Sequence, residues 1–243
     1  MESSRNRLLI LSLLIMLLGF FLIEFVGELT LTEHRETQVA LLAAYLRLSG
    51  VLLVSLFVVS SSLREMHDKM LEMVIALPVH RFSYYLGKLS GYSFVVLIIT
   101  ILFALELLLY AEPQQVFIWS LSLCLELLLV VAISLFMMFS FKQIPSALAG
   151  VLVIYSASRV MSALFLMSQA PIIRHTGVAE KFMDGFIQML AWVLPDLSQY
   201  AQTQWLVYGG AQWLMLWPLL AQTGIYLALL SMASMFDFYR KNF

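Results

Sequence analysis

The sequence predicts an all-α membrane protein with six transmembrane helices, and three observations lead to that fold class. Of the 243 residues, 62% are hydrophobic and only 12% are charged, whereas soluble domains carry about 45–50% apolar and about 25% charged residues. Six segments are apolar over roughly 20 residues, the length that crosses the hydrocarbon core of a bilayer. Mostly short polar stretches join them. We therefore expect residues 1–243 to form a single transmembrane domain.

The predicted spans follow one another in antiparallel order. They are approximately Leu8–Phe25, Val39–Val59, Tyr84–Tyr110, Val116–Phe141, Ala147–Met167 and Gln212–Met235. The first follows a basic N-terminus, and we expect it to be retained because no small-x-small cleavage site comes after its apolar run. A charged loop at about 64–83 separates spans two and three, and a longer loop at about 168–211 precedes span six.

The distribution of Lys and Arg predicts the orientation. One side of the membrane holds nine of them, Arg5, Arg7, Arg64, Lys69, Arg81, Lys88, Lys142, Arg240 and Lys241. The other side holds three, Arg35, Arg174 and Lys181. Since cytoplasmic loops carry the excess of basic residues, both termini and the 64–83 loop are expected in the cytoplasm, and the 168–211 loop outside.

The outer loop has two patterns typical of a membrane surface. Its aromatic residues are typical of an interfacial belt: Trp192, Tyr200, Trp205, Tyr208 and Trp213. Apolar residues recur at helical spacing in its middle: Phe182, Phe186, Ile187, Leu190 and Leu194. This spacing predicts a short helix that lies on the outer surface before the last span.

The cytoplasmic loop predicts an amphipathic helix from Glu65 to Leu77. Its apolar face is formed by Met66, Met70, Met73, Val74 and Leu77, and its polar face by Glu65, Asp68, Lys69 and Glu72. Pro78 ends the helix because it lacks an amide proton, and Arg81 and Lys88 are placed to reach lipid phosphates at the start of span three. The helix could rest on the bilayer, but its acidic residues favour a protein partner over a membrane surface.

Charged residues also fall inside the predicted spans: Glu24, Arg47, Glu106, Glu126 and Arg159. Each costs about 2.5–3.5 kcal/mol at a helix centre, so such groups usually form pairs or line a wet cavity. A rise of about 1.5 Å per residue places Arg47, Glu126 and Arg159 at compatible depths. A Glu126–Arg159 or Glu126–Arg47 pair is therefore feasible, whereas Glu106 is expected nearer the outer edge, within reach of water.

Three functions remain open for these intramembrane charges. They could form an ion pair that fixes helix packing, line or gate a transport path, or relay protons. An intramembrane enzyme is disfavoured, because no aspartate or histidine falls inside a predicted span. No metal site is expected either, since the four histidines lack ligand spacing and the methionines are spaced as adaptable packing residues.

The chain also lacks a nucleotide-binding P-loop. At Gly87-Lys88, Phe82 occupies the position of the first glycine and Leu89 that of the Ser or Thr, and the motif requires both to hold phosphate and Mg²⁺. We therefore expect no cofactor in this chain. If ATP powers its function, a partner chain has to bind the ATP and Mg²⁺.

Two stretches carry a family resemblance. The run Glu65…Asp68-Lys69…Ala76-Leu77-Pro78…Arg81…Tyr84…Leu86-Gly87-Lys88…Gly91 resembles the cytoplasmic loop of ABC-type exporter permeases (the ABC type-2 membrane family), and in particular their multicopper-enzyme-maturation branch. Leu194-Pro195-Asp196-Leu197-Ser198…Trp205-Leu206-Val207-Tyr208-Gly209 is similar to the outer loop of that family. Six spans, cytoplasmic termini and the chain length agree with it.

The resemblance implies a permease subunit of the cytoplasmic (inner) membrane of a bacterium or archaeon. Its partners would be two copies of a cytosolic ATPase, a second identical or related permease half, and membrane lipids. The 65–77 helix would be a coupling helix whose contacts with the ATPase come from Glu65, Met66, Asp68, Lys69, Glu72, Met73, Leu77, Pro78 and Arg81. The alternative function is a membrane anchor or assembly factor that binds a cytosolic partner without transport. The sequence leaves the cargo open.

Overall fold

A computed structural model describes residues 2–29, 34–67, 81–141, 143–169, 185, 188–190 and 193–240. The helices of this part of the chain are α1 (Glu2–Leu29), α2 (His34–His67), α3 (Arg81–Leu107), α4 (Pro113–Ser140), α5 (Ile144–Gln169), α6 (Gln204–Val207) and α7 (Leu216–Arg240), with 3₁₀ turns at Leu197–Gln199 and Trp213–Met215. No strand occurs within these ranges. The predicted all-helical fold class is confirmed.

Six of these elements have the length and apolar composition to cross a membrane. The stretches are Ile10–Glu28, Arg35–Met66, Phe82–Leu107, Pro113–Ser140, Ile144–Met161 and Trp213–Asp237. They match the six predicted spans in number and order, so the protein is a multi-pass membrane protein. The "loop end" of the bundle will denote the end with residues 108–112 and 193–211, and the "terminal end" the end where α1 begins and α7 finishes.

Helix α4 forms the centre of the bundle. In an 18-residue apolar part of its span 83% of the residues are buried, against 17% in the corresponding parts of α1 and α7. The sequence explains this position, because α4 is apolar on all sides and such a helix is stable when neighbours surround it. Ser122 and Ser134 are fully buried on it, and small residues of this kind let neighbouring helices approach closely.

Helix α2 is longer than the predicted second span and includes the first residues of the expected cytoplasmic helix. Glu65 and Met66 continue α2 without a break, so they do not begin a separate surface helix. The rest of that predicted helix and its proline stop, residues 68–80, lie outside the described residues. The amphipathic pattern between spans therefore stays a prediction beyond His67.

At the loop end, residues 193–211 fold back into the bundle. Asp196 stabilises the 3₁₀ turn by accepting a hydrogen bond from the amide of Ser198 at 3.1 Å. Leu197, Tyr200 and Ala201 are fully buried. We call residues 197–201 the re-entrant segment, because they are non-α-helical backbone covered by the spanning helices.

This fold corrects part of the predicted interfacial belt. Tyr200 is completely buried and Trp205 is 8% exposed, so both belong to the core, whereas Tyr208 and Trp213 are exposed as a belt requires. Trp192 lies outside the described residues. So does most of the predicted outer-surface helix, although the amide of Leu194 donates to the carbonyl of Leu190 at 2.9 Å, as in one helical turn.

Candidate functional site

A buried polar cluster joins the middle of the bundle to the re-entrant segment. Its centre is Glu126 of α4, whose side chain is completely shielded from solvent. Tyr155 of α5 donates its hydroxyl proton to Glu126 Oε1 at 2.9 Å, and Arg159 Nη1 reaches the same oxygen at 3.3 Å. Tyr155 and Arg159 lie one helical turn apart on α5, so both face α4. The predicted Glu126–Arg159 pair is therefore confirmed.

Arg159 also holds the re-entrant segment. Its Nη1 donates to the carbonyl oxygens of Leu197 and Tyr200, the latter at 3.0 Å. Because the guanidinium has donors and no acceptor, it suits both a carboxylate and backbone carbonyls. A single side chain thus connects a helix of the core to the loop.

Arg47 of α2 provides a second attachment. Its Nη1 donates to the carbonyl of Ala201 at 3.3 Å, and it lies within electrostatic range of Glu126, Arg159 and Tyr155. The alternative pair, Glu126 with Arg47, is not among the ion pairs of the described residues. Arg47 instead attaches α2 to the re-entrant segment beside the ion pair.

Ala201 is held at both of its backbone polar groups. Its amide donates to Ser122 Oγ of α4 at 3.0 Å, while its carbonyl accepts from Arg47. Its φ of 44° lies in the left-handed region, which costs a non-glycine residue of the order of 1 kcal/mol. Such a conformation persists only where the surroundings fix it, and it is typical of functional sites.

The loop has two further anchors on the helices. The Tyr200 hydroxyl contacts the Leu219 carbonyl at 3.1 Å and the Thr223 hydroxyl at 2.9 Å on α7. The amide of Ala211 donates to Gln115 Oε1 of α4 at 3.2 Å. Non-helical backbone at membrane depth is tolerated only where it is buried in protein, and these bonds provide that protection.

The charges of the cluster do not balance. Two guanidinium groups face one carboxylate, and Glu126 Oε2 and Arg47 Nε have no hydrogen-bond partner among the residues that the structure describes. The carbonyl oxygens of residues 197, 200 and 201 offset part of the excess positive charge. Because Arg47, Ser122 and Arg159 bond the backbone of the re-entrant segment, we call this cluster the clamp.

A smaller polar cluster lies at the terminal end. Glu65 Oε2 of α2 is 3.0 Å from Lys88 Nζ of α3, and Tyr84 OH approaches the same oxygen at 3.4 Å. The lysine also lies 5.3 Å from the centre of the Tyr84 ring. Glu65 therefore faces α3. This ion pair links α2 and α3, the two helices on either side of residues 68–80 in the sequence.

Two more of the residues predicted to contact an ATPase, Met66 and Arg81, belong to the described helices. Met66 is half-buried at the end of α2 and packs against the core. Arg81 is the first residue of α3. Six others lie outside the described residues: Asp68, Lys69, Glu72, Met73, Leu77 and Pro78.

Glu106 does not join the central cluster. It occupies the last turn of α3 and is only 5% exposed, so the expectation that water reaches it is wrong. Nearby at the loop end, Tyr110 OH donates to Glu24 Oε1 at 3.1 Å, and Arg35 Nε donates to the Tyr110 carbonyl at 3.0 Å. Burial, and then the bond to Glu24, raise the pKa of Tyr110 to about 12, so its hydroxyl stays a donor.

A cavity of about 450 Å³ opens at the loop end between α2 and α6. Its lining combines polar and apolar side chains, including Glu36, Thr37, Gln204, Val207 and Tyr208.

Sequence reasoning found the ion pair and missed the re-entrant segment. One signal was available, because two arginines and one glutamate were predicted at the same depth. The second arginine needed acceptors other than side chains, and backbone carbonyls of a non-helical segment can supply them.

Comparison with models of known protein families and with curated proteins found no match to this chain.

Proposed function

We propose that this chain is the membrane permease subunit of an ATP-driven exporter of the ABC type. Two six-span halves, identical or related, would work with two copies of a cytosolic ATPase that binds ATP and Mg²⁺. The resemblance of the 65–91 and 194–209 stretches supports the proposal. So does the membrane-spanning bundle of six helices, which provides a scaffold for transport.

The observation that carries the proposal is the continuity of α2 between the two polar clusters. Near its terminal end, α2 bears Glu65, which is ion-paired to Lys88 of α3. Eighteen residues earlier, it bears Arg47 on the carbonyl of Ala201. A rigid helix of that length spans about 27 Å, so a force applied near residues 68–80 would reach the re-entrant segment.

In this mechanism the re-entrant segment is the outer gate. Closure of the ATPase pair would push on the proposed 65–77 coupling helix and shift α2 and α3 together, because Glu65 and Lys88 join their ends. Arg47 would then move relative to Arg159. The Ala201 carbonyl, which Arg47 binds, would separate from the Leu197 and Tyr200 carbonyls, which Arg159 binds. The terminal end faces the cytoplasm in this proposal, in accordance with the count of basic residues.

The test is recovery of a P-loop ATPase with the tagged chain in mild detergent, measured by mass spectrometry. The variant Asp68→Lys/Glu72→Lys changes the proposed interface. Glu65 is left intact, since its replacement would break the ion pair inside this chain. The matched control, Glu28→Lys/Glu112→Lys, makes the same charge change at exposed positions of the loop end.

We expect the parent and the control to recover the ATPase and the interface variant to lose it. Absence of any ATPase from the parent, even after gentle cross-linking, would contradict the proposal. A membrane anchor would also recover a cytosolic partner, so the second measurement is ATP hydrolysis in liposomes. Stimulation by a transported molecule is expected of an exporter and is not expected of an anchor.

A further inference from the structure

Two carboxyl groups are buried among the spanning helices, and their surroundings differ. Glu126 accepts a hydrogen bond from Tyr155 and faces Arg159. Glu106 is 5% exposed, and neither of its carboxyl oxygens has a hydrogen-bond partner within the described part of the chain. A positive charge and a donor favour the ionised form of a carboxyl, whereas burial alone favours the neutral form.

Glu106 lies in a contact between three helices. On α1, a Cβ atom added to Gly19 would lie 2.9 Å from Glu106 Oε1 and 3.2 Å from the Tyr45 ring of α2. The glycine thus lets α1 lie directly over the carboxyl group. The Tyr45 hydroxyl is used elsewhere, since it donates its single proton to the carbonyl of Ile15 at 3.2 Å.

No cation faces Glu106 among the described residues. The titratable groups within its electrostatic range are Tyr45 and Tyr110, both uncharged. Three charged groups of these helices are bonded to other partners: Glu24 to the Tyr110 hydroxyl, Arg35 to the Tyr110 carbonyl, and Arg47 to the Ala201 carbonyl. An ionised, unpaired carboxylate in apolar surroundings is so costly that the group takes up a proton instead.

We propose that Glu106 is a proton-binding site within the membrane. It is a neutral carboxylic acid in the arrangement described, and it releases its proton when α1 moves away and admits water. Helix α1 is suited to such movement, because only 17% of an 18-residue apolar part of its span is buried. The inference is independent of the transport proposal, since it requires no partner and no cargo.

An apolar groove gives a route from the bilayer to this region. It has a volume of about 300 Å³ and lies between α1 and α2. Its lining includes Gly19, Ile23, Leu42 and Tyr45, and of these Gly19 and Tyr45 also lie near the Glu106 carboxyl group. A hydrophobic carbodiimide is therefore a suitable probe. Its central carbon accepts the carboxyl oxygen and a nitrogen takes the carboxyl proton, after which acyl transfer gives a stable N-acylurea and nothing leaves.

The deciding experiment is infrared spectroscopy of the full chain in liposomes at neutral pH. We expect the parent to show the carbonyl stretch of a protonated carboxyl, and Glu106→Gln to lose it. Glu126→Gln is the matched control, because it removes a buried carboxyl that we expect to be ionised and should leave the band unchanged. Absence of the band from the parent, or its loss in Glu126→Gln alone, would overturn the proposal.

Labelling with dicyclohexylcarbodiimide locates the proton by an independent readout. Peptide mass spectrometry should find the full mass of the reagent on Glu106 and none on Glu126. The labelling of Glu106 should decrease at least tenfold as the pH rises over the range in which the infrared band disappears. Equal folding of the variants is checked by their elution profiles in detergent. Labelling of Glu126 in preference to Glu106 would also overturn the proposal.

Discussion

Replacement of Arg159 by Gln should destabilise the protein more than replacement of its partner Glu126 by Gln. Loss of one member of a buried ion pair costs about 3–5 kcal/mol, because the other charge stays buried. The Arg159 side chain is 21% exposed and that of Glu126 is 0% exposed. The glutamate is therefore the group that cannot recover water when its partner is removed.

The magnitude for Arg159→Gln follows from three contributions. Glu126 would keep the Tyr155 hydroxyl at 2.9 Å, which places the loss of the ion pair at about 3 kcal/mol, the lower end of that range. The carbonyls of Leu197 and Tyr200 would each lose a donor, at an average of about 0.6 kcal/mol per bond in membranes. The total is about 4 kcal/mol by these values.

For Glu126→Gln we expect a loss of about 1.5–3 kcal/mol, typical of a hydrogen bond to a charged group. The amide oxygen still accepts from Tyr155, and Arg159 keeps both carbonyls and its partial contact with solvent. In the double variant neither charge is left unpaired. Its loss should therefore be smaller than the sum of the single losses by about 1–3 kcal/mol.

The measurement is the free energy of unfolding in mixed dodecyl maltoside and SDS micelles, followed by tryptophan fluorescence. The four proteins of the cycle are compared under identical conditions. Additive losses, within about 0.5 kcal/mol, would show that the two side chains do not act as a pair. A larger loss in Glu126→Gln than in Arg159→Gln would refute the reasoning from exposure. If the double variant retained function while each single variant failed, the pair would have a structural role only.

Two further predictions concern packing and hydrogen bonding in the same bundle. Tyr155→Phe should cost about 1.5–3 kcal/mol of unfolding free energy by the same micelle titration, since it removes the hydroxyl donor to the Glu126 carboxylate; an unchanged free energy of unfolding would show that this hydrogen bond does not stabilise the fold. Gly50→Ala should be less stable than Gly91→Ala by about 1–3 kcal/mol, because its added Cβ would lie 3.1 Å from Phe103 whereas at Gly91 nothing lies within 4 Å; equal thermal unfolding temperatures would contradict this.

Regular helix geometry explains which parts of the site the sequence could predict. A fixed rise per residue places each side chain of a span at a definite depth, and this limited the partner of Glu126 to Arg159 or Arg47 without deciding between them. The same count placed Glu106 near the outer edge and in contact with water. It failed there because exposure depends on the neighbouring helix, and Gly19 allows α1 to cover the carboxyl group.

Hydrophobic periodicity did not predict the re-entrant segment, and the reason is different. Tyr200 and Trp205 have the amphipathic character of interfacial residues, and residue type does not distinguish that position from a buried one whose polar atoms are bonded. The Tyr200 hydroxyl contacts Leu219 and Thr223, so burial leaves no unmet hydrogen bond on it. The burial of Tyr200 therefore depends on residues that are close in the fold but distant in the sequence, and a local pattern does not reveal them.

The contact between Gly19 and Glu106 gives a final prediction that tests how a proton would be coupled to helix movement. A Cβ at residue 19 would lie 2.9 Å from Oε1 of Glu106 and 3.2 Å from the Tyr45 ring, so Gly19→Ala has to displace α1 or turn the carboxyl group. Either change admits water and lowers the cost of ionisation. We expect the protonated-carboxyl band at neutral pH to decrease in Gly19→Ala and to remain in Gly224→Ala on α7, where nothing lies within 4 Å of the added Cβ. An unchanged band in Gly19→Ala would mean that burial by α1 does not hold the proton on Glu106.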